Sequence, residues 1–199
     1  MNTENIISIR KANISQANKA FSEFMTKTEN RLNEIATRDS KNFARLTASQ
    51  LELLSVDSMK EVCSSTPFRS DEIRLVSGQS FPDIVAETFY GVEVKSTQSD
   101  HWRSTGSSII ETTRDKNVES IYMLFGKLGG IPKVMCKPYE ECLYDITVTH
   151  SPRYLIDMNT SHENTIFSKM KTSYDELRKS NKPIATVRKY YRNKAKIEK

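Results

Sequence analysis

Phe81-Pro82-Asp83-Ile84-Val85-Ala86-Glu87-Thr88-Phe89-Tyr90-Gly91-Val92-Glu93-Val94-Lys95 is the stretch on which the reading of the fold turns. It sets one carboxylate behind a proline, then a short turn, then a second carboxylate two residues before a lysine. Pro82 favours an extended backbone before it. Thr88-Phe89-Tyr90-Gly91 turns the chain, so Asp83 and Glu93 fall on adjacent strands. The strand period of two puts Glu93 and Lys95 on one face and Val94 on the other. Opposite charges on a face flanked by apolar residues need a partner or a job. Two carboxylates and an ammonium converging at one sheet edge make a site for a hard divalent cation and an activated water.

Upstream, Ile14, Ala17, Phe21, Phe24, Thr28, Leu32 and Ile35 recur at helical steps and predict an amphipathic helix over 13–36 that packs on the core. A polar connection follows, and Thr47-Ala48-Ser49-Gln50 has the form of a capping box that opens a helix through Leu51, Leu54, Met59 and Val62. Glu72 to Val76 alternates like a strand, and Ser77 to Ser80 reads as a turn. Downstream, Ser96 to Ser107 reads as a polar loop. A second capping box, Ser108-Ile109-Ile110-Glu111, predicts a short helix to about Val118. Ile121 to Phe125 is a continuous apolar run, the mark of a central strand. Gly129-Gly130 turns the chain, Cys142 to Thr149 alternates again, and Tyr154 to Ile156 reads as a last short strand. Thr160-Ser161-His162-Glu163 is a third capping box, with Phe167, Met170, Tyr174 and Leu177 striping one helix after it. Pro183 separates that helix from a basic end. Helices, then a strand meander, then alternating helix and strand predict an α/β fold: a mixed central sheet of about five strands flanked by helices, with an N-terminal helical extension.

The chain of 199 residues fits one domain, 1–199, divided into a helical extension (1–45), a catalytic core (46–160) and a C-terminal helix with a basic segment (161–199). No apolar run approaches the roughly 20 residues of a membrane span, and Met1 to Asn5 lacks the form of a signal peptide, so a cytoplasmic location is expected. Three widely spaced cysteines, Cys63, Cys136 and Cys142, predict buried free thiols rather than a disulfide framework or zinc knuckle. The net charge of +5 is uneven: residues 168–199 hold 11 Lys/Arg against 3 Asp/Glu, while the rest holds 19 against 22. A basic end beside a mildly acidic body suits a polyanionic partner. Gly126 to Gly130 lacks the Lys-Ser/Thr of a phosphate-binding loop, which argues against ATP-driven activity.

Asp39-Ser40-Lys41 repeats the acid-x-lysine spacing, but in a polar connection without strand character. Pro82-Asp83 is the only Pro-Asp pair, and it lies one hairpin before Glu93-Val94-Lys95. These residues, followed by Ser96-Thr97, resemble the motif of the PD-(D/E)XK nuclease superfamily, and the likeness in element order runs from about Thr47 to Ile156. The resemblance implies a restriction-endonuclease-like core and Mg²⁺-dependent hydrolysis of phosphodiester bonds in double-stranded DNA, with Mn²⁺ able to substitute. It implies Asp83, Glu93 and the Val94 carbonyl as metal ligands, and Lys95 as a group that positions water and stabilises charge. An acid from the preceding helix is expected to join them: Glu61 by preference, with Glu52 and Asp57 as the other candidates. Ser96, Thr97, Gln98, Trp102, Arg103, Ser104 and Thr105 in the following loop, with Arg114 and Arg153, are the expected DNA contacts. A compact stand-alone chain of this kind most resembles a type II restriction endonuclease, for which a homodimer on a palindromic site is expected. A repair nuclease, a junction resolvase, or a catalytically silent DNA-binding module on the same fold are the alternatives.

Overall fold

The computed structural model describes residues 5–76, 78, 80–147 and 150–197. Among them the chain forms α1 (Ile6–Ala12), α2 (Ile14–Arg38), α3 (Ser40–Phe43), α4 (Ala48–Val62), β1 (Ile73–Leu75), β2 (Ile84–Ala86), β3 (Tyr90–Thr97), β4 (Arg103–Ser108), β5 (Ser120–Lys127), β6 (Lys133–Pro138), β7 (Leu143–Ile146), β8 (Arg153–Asp157), α5 (Ile166–Met170), α6 (Tyr174–Lys179) and α7 (Pro183–Ile197). The fold is α/β, with a mixed five-stranded sheet flanked by helices. The chain divides into two compact units: Met1–Trp102 with Thr113–Tyr139, and Arg103–Thr112 with Glu140–Lys199. The expected core of 46–160 is therefore shared between them, and the expected extension of 1–45 is an integral part of the first unit.

In the first unit the sheet order is β1-β2-β3-β5-β6, antiparallel throughout except for the parallel β3/β5 pair. One sheet face carries Ile84, Tyr90, Val92, Val94, Tyr122 and Leu124, which form a continuous core with Phe21, Phe24, Leu51, Met59 and Phe68. α2 and α4 therefore supply its cover. Phe21 packs tilted against Tyr90 at 4.5 Å, and Phe24 stacks on Phe68 at 4.5 Å, so truncating either phenylalanine costs about 3–5 kcal/mol. Side chains on α2 also bind the sheet edge: Asn33 brackets Val134 through its N–H and C=O, and Glu29 accepts from the Cys136 N–H at 2.6 Å. The Thr47/Gln50 capping box forms as the sequence predicts and starts α4. Cys63 is buried, and burial pushes its thiol up to about 11.

A parallel pair requires a crossover, and here residues 98–119 supply it without a helix. The helix expected from Ser108 to Val118 does not form, because both halves of its apparent capping box are engaged elsewhere. The Ser108 hydroxyl accepts from the Ile110 N–H at 3.3 Å in a local turn. Glu111 adopts a left-handed φ of 46° and its carboxylate accepts from the Tyr174 hydroxyl at 2.5 Å. Most of the expected polar loop from Ser96 to Ser107 is also ordered, as the end of β3 and as β4.

The second unit contains a three-stranded antiparallel sheet, β4-β8-β7, and the helices α5 to α7. The strand expected from Cys142 to Thr149 runs over Leu143–Ile146; Val148 and Thr149 lie outside the described residues. The single helix expected after Thr160 is two. Thr165 caps α5, Lys171 at φ 54° ends it, and Ser173 and Glu176 form the box that opens α6. The basic end is helical as well, with Pro183 in the first-turn position where its missing N–H is not needed. Tyr154, Phe167 and Tyr174 pack as an aromatic cluster, with centroids 5.6–6.3 Å apart. No helix among the described residues is long and apolar enough to cross a membrane.

Candidate active site

The hairpin register sets the geometry. Ile84 pairs with Val92, and β1 continues beside β2 through the Val76 N–H bond to the Asp83 carbonyl at 2.8 Å. Asp83 is thereby held across from Glu93. The chain then bends away at Pro82, and the ladder position facing Val94 is taken by a side chain: the Val94 N–H donates to Asp83 Oδ2 at 2.8 Å. A strand residue aims its N–H and C=O to the same side, so the Val94 carbonyl faces Asp83 too. Pro82 leaves the sheet directly over Gly91, where a Cβ would come within 2.3 Å of the proline ring. Any side chain at 91 would push Pro82, and with it Asp83, out of place.

Glu93 and Lys95 share the sheet face opposite the aromatic core. Glu93 is 4% exposed, and its Oε1 lies 2.5 Å from the Lys95 ammonium. Its Oε2 is buried without a hydrogen-bond partner among the described residues. Burial pushes the Glu93 carboxyl up to about 7; Lys95 opposes that rise and the like charge of Asp83 adds to it. Burial alone would lower Lys95, but pairing with Glu93 and the charges of Asp83 and Glu52 outweigh it and hold the ammonium above its ordinary range. Lys95 is thus a fixed cation and a poor base near neutral pH, in line with positioning and charge stabilisation.

The helix acid that reaches this group is Glu52, and the preference for Glu61 is corrected. Glu61 pairs with Arg31 at 2.6 Å and its side chain is 54% exposed. Glu52 is half-buried; burial, and then the nearby charge of Asp83, raise its carboxyl while Lys95 lowers it. Nine residues on an α-helix are about two and a half turns, so positions 52 and 61 face opposite ways. Asp57 is exposed. Proximity in sequence favoured Glu61; the helical phase, readable from the buried Leu51, Ser55 and Met59, would have favoured Glu52.

The expected DNA-contact residues are divided between the two units, whose boundary falls between Trp102 and Arg103. Ser96 and Thr97 end β3, and Gln98 is exposed and donates to the Leu46 carbonyl at 3.3 Å. Trp102 packs inward, 5.9 Å from the Phe125 ring with the Lys127 ammonium 5.7 Å away. Arg114 is spent on structure: it donates to the Val118 and Glu119 carbonyls and lies over the Phe81 ring. In the second unit Arg103 pairs with Asp157 at 2.7 Å, Ser104 and Thr105 are strand residues opposite Ile156 and Leu155, and Arg153 donates to the Gly106 carbonyl at 2.9 Å.

Among the described residues no three His, Cys, Asp or Glu side chains stand close enough to form a ready-made metal cage. A hard divalent ion that retains its waters needs only one or two carboxylates. Asp83, the orphaned Oε2 of Glu93 and the Val94 carbonyl are all oxygen donors, so the residues fit such an ion. No protein-family model matches this chain, and no curated protein matches it either.

Proposed function

We propose that the first unit is a Mg²⁺-dependent endonuclease acting on double-stranded DNA, of the PD-(D/E)XK type that its motif resembles and most like a type II restriction endonuclease. The observation that supports it is the buried Glu93 carboxylate, with one oxygen on Lys95 and the other, close to the Asp83 carboxylate, without a hydrogen-bond donor among the described residues. A structural ion pair would not need the second carboxylate, and leaving a buried acceptor unsatisfied costs about 1–3 kcal/mol. A divalent ion held by Asp83, Glu93 and the Val94 carbonyl would supply Lewis-acid activation of a phosphate oxygen and of water. Asp83 and Glu93 contribute the negative charge that recruits the ion. The Val94 N–H fixes the Asp83 carboxylate. Lys95, cationic throughout the neutral range, offers donors to the attacking water and to the developing charge on phosphorus-bound oxygens. Glu52 adds a third acid at the margin of the same group.

Cutting both strands of a palindromic site calls for two copies related by two-fold symmetry, so we propose a homodimer on DNA. The test is incubation of supercoiled plasmid with the protein, with Mg²⁺ or with EDTA, repeated for Lys95→Ala and Asp83→Asn. Discrete metal-dependent fragments, lost in both variants, support the reading. Preference for branched DNA would shift it to a resolvase. Metal-independent binding with no cleavage by the wild type would overturn it in favour of a silent DNA-binding module.

A further inference from the structure

In the second unit, α7 has a one-sided arrangement of charge. Arg188, Lys189, Arg192 and Lys196 fall within an arc of about 100° on a 3.6-residue helix. All four are exposed, and none has an ion-pair partner among the described residues, whereas the neighbouring Arg178 and Lys179 both pair with Asp175. Together with Lys182 and the 45% exposed Ile110 they line a groove of about 690 Å³ whose wall carries no acidic residue. The opposite helix face is anchored. Val187 is 3% exposed, and the Tyr191 hydroxyl donates to the Asp145 carboxylate and accepts from the Ile146 N–H at 3.1 Å.

Four unpaired cations on one stripe repel one another, and a partner with regularly spaced anions relieves that repulsion. From Arg188 to Lys196 the stripe is about 12 Å long at about 1.5 Å per residue. That matches three or four phosphates of one DNA strand at about 3.4 Å of helix axis each. An anionic bilayer fits less well, because a membrane-surface helix needs a free apolar face, and that face of α7 is occupied by its own anchors.

We infer that the outward face of α7 is a phosphate-binding rail for duplex DNA, gripping the backbone without reading bases and without the metal. The choice of DNA as occupant rests on the function proposed above; the rail itself rests on the stripe. Its test uses the full chain in EDTA, with fluorescence anisotropy on two unrelated duplexes of about 25 base pairs across about 50–200 mM salt. Replacing Arg188, Lys189, Arg192 and Lys196 together by Gln should flatten the log–log salt slope by about 3.6, at about 0.9 per lost phosphate contact. Across that salt range the variant's affinity then falls about 150-fold less than the wild type's, equally for both duplexes. Circular dichroism checks that α7 persists; if it does not, the four single Gln variants carry the test, each flattening the slope by about 0.9. An unchanged slope, or a loss confined to one duplex, overturns the inference. So does loss of adhesion to phosphatidylserine/phosphatidylcholine vesicles with duplex binding intact. A flattened slope in the variant, with a wild type that never cleaves, sinks the nuclease reading alone, and cleavage by the wild type with an unaltered slope in the variant sinks the rail alone.

Discussion

Glu93 is 4% exposed, with one oxygen unpartnered among the described residues, so Glu93→Gln separates a stored functional charge from a structural ion pair. The carboxyl is raised from 4.5 to about 7 in the fold, with burial the largest cause. Between those values the folded state holds the proton more tightly than the unfolded chain. The stability contributed by neutral Glu93 is therefore complete below about pH 4.5 and is lost as pH rises through about 7. At about 1.4 kcal/mol per unit, the wild type gives up about 3 kcal/mol across that window. Lys95 adds no slope there, since a raised amine loses its contribution only above its ordinary 10.5. Glutamine cannot ionise, so relative to the wild type Glu93→Gln should gain about 3 kcal/mol between about pH 4 and 8, or about 6–12 °C in Tm for a chain of this size. Urea titrations of both proteins in EDTA over that range measure it. Mg²⁺ should then stabilise the wild type at neutral pH and leave the variant unmoved. Wild-type and variant curves that run parallel in pH would refute the buried, strained carboxylate. A variant weaker by about 3–5 kcal/mol at about pH 8 would instead mark a structural pair.

Gly91→Ala puts a Cβ 2.3 Å from the Pro82 ring and should cost about 1–3 kcal/mol in urea melts, together with most metal-dependent cleavage; relief of the clash in the Gly91→Ala/Pro82→Ala double variant would identify that contact as the cause. Glu52→Gln should slow cleavage by about tenfold or more, while Glu61→Gln, which leaves Arg31 its second partner Glu34, should stay within about twofold; the reverse order in single-turnover rates would overturn the helix-face assignment. Tyr191→Phe removes the hydroxyl that bonds Asp145 and Ile146 and should destabilise the docking of α7 by about 1–3 kcal/mol, read as faster amide exchange from Val187 onward; unchanged protection would mean that Val187 alone anchors the helix.

Much of the sheet was legible because its signals are local. The period of two in Val92 to Lys95, the apolar run of Ile121 to Phe125 and the Thr47 capping box each specify an element without help from distant residues. The elements that differed were decided by distant partners. Glu111 looks like the fourth residue of a capping box, yet its carboxylate accepts from the Tyr174 hydroxyl, 63 residues away. Trp102 and Arg114 looked like groove-reading groups in a polar stretch; Phe125 and the Val118 carbonyl claim them instead. The second sheet was missed for a related reason: Arg103 to Ser108 is polar and Gly-containing, and it becomes a strand through pairing with β8 rather than by its own propensity. Within the site, Asp83, Glu93 and Lys95 were readable as a group because hairpin register and strand alternation are arithmetic. Glu52 required knowing which side of α4 meets the sheet.

The same hairpin contains two departures from what packing alone would choose, and they converge. A leucine or glutamine at position 93 would avoid a buried carboxylate, and replacing a buried ion pair with neutral groups is often stabilising by about 1–4 kcal/mol. A strand that ran on past Ile84 would satisfy the Val94 N–H with backbone; instead the chain bends at Pro82, over a glycine that alone leaves room for it, and Asp83 takes that bond. Each departure lowers stability or constrains the sequence, and neither helps the other pack. What they share is place: one buries the Glu93 carboxylate and the other brings the Asp83 carboxylate close to it, beside a lysine kept cationic by the same two acids. Local rules broken together toward one point are the pattern of a site rather than of a core, and the point they mark is a corner with the carboxylate oxygens that the proposed hard divalent ion would need.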